Sequence, residues 1–141
     1  MTVETKSPTD TWQIQKGWLS PTNAYASDDA RTLASILDAI QGYLGYGFNL
    51  TGRTITKVEV GCEGYVTSRE VGVYISFDGN VRYYHAGTIT EATESLHWFD
   101  VTSITDWTPE KLSDTNLRIA IIYETTGGGG CYGLDCEVGL Y

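Results

Sequence analysis

The densest set of oxygen-bearing side chains lies in the stretch WLSPTNAYASDDARTLA (18–34), where Asn23, Ser27, Asp28 and Asp29 follow one another closely. Such residues are hard ligands of the kind calcium takes, and Asp106 and Asp114 add two more around a later turn. The spacing is not that of an EF-hand, and Asn, Asp and Ser are also the ordinary residues of turns, because their side chains bond nearby backbone amides. A turn without a metal is the expectation. Motifs for catalysis fare no better. The chain lacks G-x-S-x-G and H-E-x-x-H, and the glycine run at 127–130 is followed by Cys131 where a phosphate loop needs Lys and Ser or Thr. A carboxylate pair for glycoside hydrolysis is a matter of spatial spacing, so eighteen acidic residues do not single one out. The expectation is no catalytic site, no cofactor and no enzyme activity.

Three cysteines, Cys62, Cys131 and Cys136, form neither a C-x-x-C redox motif nor a zinc spacing, and His85 and His97 are not placed around them. A local Cys131–Cys136 staple and buried reduced thiols both remain open. Asn49-Leu50-Thr51 is a glycosylation sequon, too short a match to carry weight.

Two further sets of side chains could act by contact. Tyr83, Tyr84, His85 and Trp98 fall on adjacent predicted strands, so their rings could share a face on which sugars stack. In the N-terminal stretch, Trp12 and Ile14 alternate with Gln13 and Gln15 in otherwise polar surroundings. A fraying terminus does not normally show such a pair to water, so these residues are candidates for an added strand against a neighbouring subunit. Pairing of the same segment with an edge of its own sheet would cover them equally well.

The elements that must position these groups follow from composition. At 141 residues the chain is the size of one domain. Sixteen Gly, ten Tyr, four Trp and many Val and Thr fit strands and turns, which makes the expected class all-β. The net charge of −9 is spread without runs, which excludes the basic clusters that nucleic acid or an anionic membrane surface requires. No apolar run approaches the roughly 18 residues of a membrane span, so no membrane insertion is expected. MTVETKSPTDTWQIQ has no apolar signal segment, and with Met1 as the start a secretory precursor is not expected either.

Alternation then lays out the strands. KVEVGCEG puts Val58, Val60, Cys62 and Gly64 on one face, and EVGVYISFDG puts Val71, Val73, Ile75 and Phe77 inward before Asp78-Gly79, a hairpin dipeptide with VRYYHAGTIT as its partner. LHWFDVT is a short strand. NLRIAIIYE sends Leu117, Ile119, Ile121 and Tyr123 inward, and LDCEVGLY sends Leu134, Cys136, Val138 and Leu140 inward. The predicted core is therefore Val58, Val60, Val73, Ile75, Ile119, Ile121, Val138 and Leu140. Between the late strands, Thr108 before Pro109, Glu110 and Lys111 predicts one short helical turn near 109–113. LASILDAIQGYLGYGF reads either as helix, by its Leu33, Ile36, Leu37 and Ile40 spacing, or as two strands broken at Gly42; consistency with the rest favours strands. About eight or nine short strands without crossover helices predict a jelly-roll-like β-sandwich over 17–141, preceded by a loose arm over 1–16.

Taken together, W-x-x-P-x-N-A-Y-A-x-D-D at 18–29, GFNLTGRTITKVEVGCEG at 47–64 and WTPEKLSDTNLRIAI at 107–121 resemble a sandwich domain of tailed-bacteriophage structural proteins and of archaeal and bacterial surface proteins. The resemblance runs from residue 18 to 141. It implies a non-enzymatic role on a particle or cell surface and supplies no active-site residues. By it, Asn23 and the Ser27-Asp28-Asp29 turn bend the first strand into the sandwich and Tyr25 pins the bend to the core. The functions this leaves are a self-assembling structural protein of a virion, as capsid decoration or tail component; alternatively an extracellular filament subunit built by strand donation; and, from the aromatic set Tyr83, Tyr84, His85 and Trp98 rather than from the resemblance, a carbohydrate-binding module. The expected partners are further copies or other virion or surface structural proteins, and the expected location is the virion or, alternatively, the cell surface.

Overall fold

In a computed structural model of the chain, the residues described are 3–15, 17–25, 32–34, 38–66, 69–124 and 134–136. Among them the chain forms β1 (Asp10–Gln15), β2 (Trp18–Leu19), β3 (Thr32–Ala34), β4 (Ile40–Leu44), β5 (Glu59–Gly64), β6 (Glu70–Ser76), β7 (Tyr84–Ile89), β8 (Ser95–Asp100), β9 (Arg118–Glu124) and β10 (Leu134–Cys136). All pairings are antiparallel. Short 3-10 turns occupy Pro21–Tyr25, Thr102–Ile104 and Glu110–Leu112, the last where the Thr108-Pro109 signal predicts a helical turn.

One sheet runs β1-β4-β9-β6-β7 and the other β2-β3-β10-β5-β8. Within the second, β5 and β8 pair from Glu59↔Asp100 to Gly64↔Ser95, while β10 meets β5 at the single pair Cys136↔Gly64. Counted from β3 as the first strand to β10 as the eighth, the sheets read 2-7-4-5 and 1-8-3-6, which is the jelly-roll order. The all-β, jelly-roll-like sandwich read from alternation is thus the observed architecture, with β1 and β2 added at one edge of each sheet.

The core lies between the sheets. Val60 and Cys62 enter from β5, Val71, Val73 and Ile75 from β6, Ile89 from β7, Tyr43 from β4, and Ile119, Ile121 and Tyr123 from β9. Each fully buried Val or Ile contributes about 1.5–3 kcal/mol relative to exposure. Val58 is half-buried, and Val138 and Leu140 lie outside the described residues. Three rings of the core carry matched polar tips: Trp18 Nε1 donates to the Ala39 carbonyl at 2.9 Å, Trp107 Nε1 to that of Val101 at 3.0 Å, and the Tyr43 hydroxyl to that of Pro21 at 2.9 Å. The last bond, with the edge-on contact of Tyr25 and Tyr43 at 6.4 Å, fastens the Pro21–Tyr25 turn to the core.

Three local expectations are refined. The break in LASILDAIQGYLGYGF falls before β4, where Asp38 adopts a φ of 64° and its amide donates to Tyr123 O at 2.7 Å. Gly42 instead sits inside β4, opposite Trp12. The β6–β7 hairpin is closed by a longer loop over 77–83, in which the Asp78 carboxylate accepts from Ser76 Oγ (2.8 Å), Arg82 N (3.0 Å) and Val81 N (3.2 Å). These bonds hold the Asp78 carboxyl below the ordinary range, the Arg82 amide contributing most. Finally, Asp10–Gln15, within the stretch read as an arm, pairs with β4 as the outer strand of its own sheet.

Candidate functional site

Among the described residues strand β1 has a neighbour on one side, β4, and beyond the backbone pairing one large side chain seats it there. Trp12 lies opposite Gly42, and a methyl at Gly42 would overlap the far ring of the Trp12 indole. Glycine inside a strand normally weakens it; here it opens the slot that the indole fills. The Arg118 guanidinium closes over the same ring, 5.9 Å from its centroid. The pairing register shifts between Gln13 and Gln15, which makes Ile14 the bulge residue, 39 % exposed. Thr11 Oγ1 donates to Gly42 O and accepts from Gln41 Nε2 at 2.8 Å, tying strand to sheet on the inner side.

The four residues read as a stacking face are divided between the sheets. Tyr84 and His85 belong to β7 and Trp98 to β8, and these strands are the far edges of opposite sheets. Tyr84 stacks on Phe77 at 5.1 Å, inside the cluster that Trp107 and Lys111 complete. Tyr83 donates its hydroxyl to Asn80, and burial above all pushes its pKa up to about 12. His85 is exposed beside Tyr74, ring centroids 5.3 Å apart, with Nε2 2.8 Å from Thr88 Oγ1.

Trp98 stands alone of the four on the outer face of β5–β8. Its strand alternates half-buried Ser95, His97 and Phe99 with exposed Leu96, Trp98 and Asp100. Trp98 is 44 % exposed and pairs with Gly61, where a methyl would stand 2.7 Å from Cζ3 of the indole. One step along the sheet, Glu59 and Asp100 face each other in register, with the Lys57 ammonium 3.5 Å from Glu59 Oε1. The Asp100 carboxyl is held below the ordinary range, chiefly by Thr102, with Lys57 adding to the effect. Trp98 also borders a cavity of about 810 Å³ between residues 3–6, the 46–60 segment and the end of the sandwich. Its apolar lining includes Phe48, Leu50, Ile55 and Val58, and its mouth carries the Arg53–Glu4 ion pair at 3.7 Å.

The outer face of the other sheet carries a carboxylate pair, Glu70 opposite Glu124 on β6 and β9. Burial raises the Glu124 pKa above the ordinary range, and the Glu70 and Asp38 charges add to this, against the hydrogen bond from the Tyr74 hydroxyl, which is 3.2 Å from both carboxylate oxygens. Burial, and secondarily the Glu63 carboxylate, pushes the Cys62 thiol up to about 12, which suppresses thiolate chemistry there. Cys136 lies in β10, and Cys131 is outside the described residues. Among the described residues no three His, Cys, Asp or Glu side chains gather within reach of one metal ion; Asp28 and Asp29 lie outside them.

The fold and this surface define the class: an all-β protein of two antiparallel sheets in jelly-roll order. No family model matches the chain, and neither a curated protein nor a solved structure is significantly similar to it. Gly42 and Gly61 are sites that no chemical motif marks. Their signal was available as glycines at interior positions of strands, which mark close approach by another group. What approaches them, Trp12 and Trp98, is distant in sequence.

Proposed function

We propose that the chain is a non-enzymatic structural assembly protein, a virion accessory subunit of the capsid-decoration or tail-component kind. The observation that carries this reading is β1. It lies outside the eight strands of the jelly roll, at a sheet edge, with Ile14 bulged and exposed. An edge strand, as β1 is among the described residues, with an exposed aliphatic side chain is a template for a second chain. The likeness of the 18–29, 47–64 and 107–121 motifs to tailed-phage structural domains supports the virion as location. A second reading, a filament subunit at a cell surface, is favoured by Gly17. Its φ of 147° is readily adopted only by glycine, and it lies between β1 in one sheet and β2 in the other, where a hinge for strand donation would sit.

The test is the mass of the purified chain by light scattering across a wide concentration range, with electron microscopy of the most concentrated samples. Oligomers or filaments are expected. Ile14→Lys, which charges the edge, is expected to abolish them while leaving the melting temperature unchanged. A chain that is monomeric throughout, or whose assembly Ile14→Lys leaves intact, overturns the reading.

A further inference from the structure

Beyond assembly through β1, we infer that the groove bordered by Trp98 binds a short oligosaccharide of neutral sugars. Three observations converge on that ligand class. The first is the indole itself, large, 44 % exposed, and held against the sheet because Gly61 has no side chain. A sugar ring offers a face of C–H groups to such a surface, and burial of both gives the contact its strength.

The second is the polar chemistry around it. Arg53 with Glu4, and Lys57 with Glu59, are ion pairs at 3.7 and 3.5 Å, both lining the groove. Each pair sets a donor beside an acceptor, the arrangement that two vicinal hydroxyls satisfy at once. Lys6 also lines the groove, so the lining holds three cations against Glu4 and Glu59, and Asp100 beside Trp98 supplies the third carboxylate; this near balance leaves little net field for an anion, which sets a neutral polyol apart from a phosphate or an acidic peptide. Asp100, in register with Glu59, adds a further acceptor on the Trp98 face.

The third is size. About 810 Å³ is within the range of roughly 300–1,000 Å³ in which small-ligand sites fall. The apolar side chains Phe48, Leu50, Ile55 and Val58 give the floor against which the less polar faces of the sugar rings pack. The site draws on the N-terminal stretch, the 46–60 segment and β8, so it exists only in the folded sandwich.

The experiment is to screen the full chain against immobilised cello-, xylo-, manno- and galacto-oligosaccharides, with sialylated glycans and sodium laurate alongside, and to titrate any hit by tryptophan fluorescence. The expected result is binding of one or more neutral series with a fluorescence change. Trp98→Ala is expected to weaken it by about tenfold or more. Lys57→Ala, on an exposed side chain, gives a second reading with the indole in place and is expected to weaken it by about threefold to tenfold. Leu96→Ser, on the same strand but outside the groove, is expected to leave it within about twofold. Failure of every neutral series to bind, a response confined to sialylated glycans or laurate, or undiminished binding by Trp98→Ala, overturns the inference. None of these outcomes depends on whether Ile14→Lys alters assembly.

Discussion

Trp12 and Trp98 use one device on opposite faces of the sandwich, an indole laid over a strand glycine, and they differ in what surrounds it. Trp12 is half-buried over Gly42, with Arg118 above it, on a strand that has nothing else so large to hold it. Trp98 lies over Gly61 on a strand already paired along its whole length with β5, and its neighbours are an ion pair and a groove. The same contact therefore serves stability at one site and availability at the other. Burial and the alternatives open to the ring decide which.

Substituting the indoles separates the two most strongly. Trp12→Ala empties the slot and loosens β1, and a cost of about 2–3 kcal/mol is expected in urea unfolding, below the full cost of a buried Trp because the ring is half-exposed. Trp98→Ala is expected to cost about 1 kcal/mol or less. Equal losses would mean that Trp98 is structural too.

Substituting the glycines probes the same contrast from beneath. Gly42→Ala sets a methyl into the far ring of Trp12, at a closer approach than at Gly61, and displaces the indole that packs β1 onto β4; about 1–3 kcal/mol of destabilisation is expected. At Gly61 the methyl would meet the Trp98 ring less closely, at 2.7 Å, and that ring is 44 % exposed, so Gly61→Ala is expected to cost about 1 kcal/mol or less. Amide exchange in β1 checks the mechanism: it should accelerate in Gly42→Ala and stay unchanged in Gly61→Ala.

The smallest effect concerns the charges that share a face with Trp12. Glu124 has a raised pKa in the folded chain, so over the window between its unfolded and folded values the native state binds more protons. Stability from this group is present below that window and is lost as pH rises through it. Glu124→Gln keeps an acceptor for Tyr74 and cannot ionise. A modestly higher melting temperature than wild type is expected at pH 7, shrinking to nothing below the ordinary glutamate range; a lower one at pH 7 would contradict the assignment.

Much of this frame could be read from the chain itself. Val71, Val73 and Ile75, and Ile119, Ile121 and Tyr123, alternate so regularly that their strands and inward faces were evident, and period-two alternation is a local property. The Glu110–Leu112 turn was likewise written in Thr108 and Pro109. What depends on distant partners was not legible. Gly42 read as a break because the Trp12 that fills its slot comes thirty residues earlier. Tyr84, His85 and Trp98 read as one face because β7 and β8 follow one another in sequence, whereas the jelly-roll crossover sends them to opposite sheets. The groove joins the N-terminal stretch to the 46–60 segment, a meeting that no local pattern announces.

The contrast between the two indoles is tested most directly by following the side-chain Nε1–H resonances of the four Trp, assigned by mutation, while each neutral oligosaccharide series is added. Trp18 and Trp107 are buried with their Nε1–H groups bonded to Ala39 and Val101 and serve as references. The Trp98 resonance is expected to shift in a saturable way with at least one series while those of Trp12, Trp18 and Trp107 stay in place; a shift at Trp12 with Trp98 unmoved would contradict the assignment of Trp98 as the binding indole.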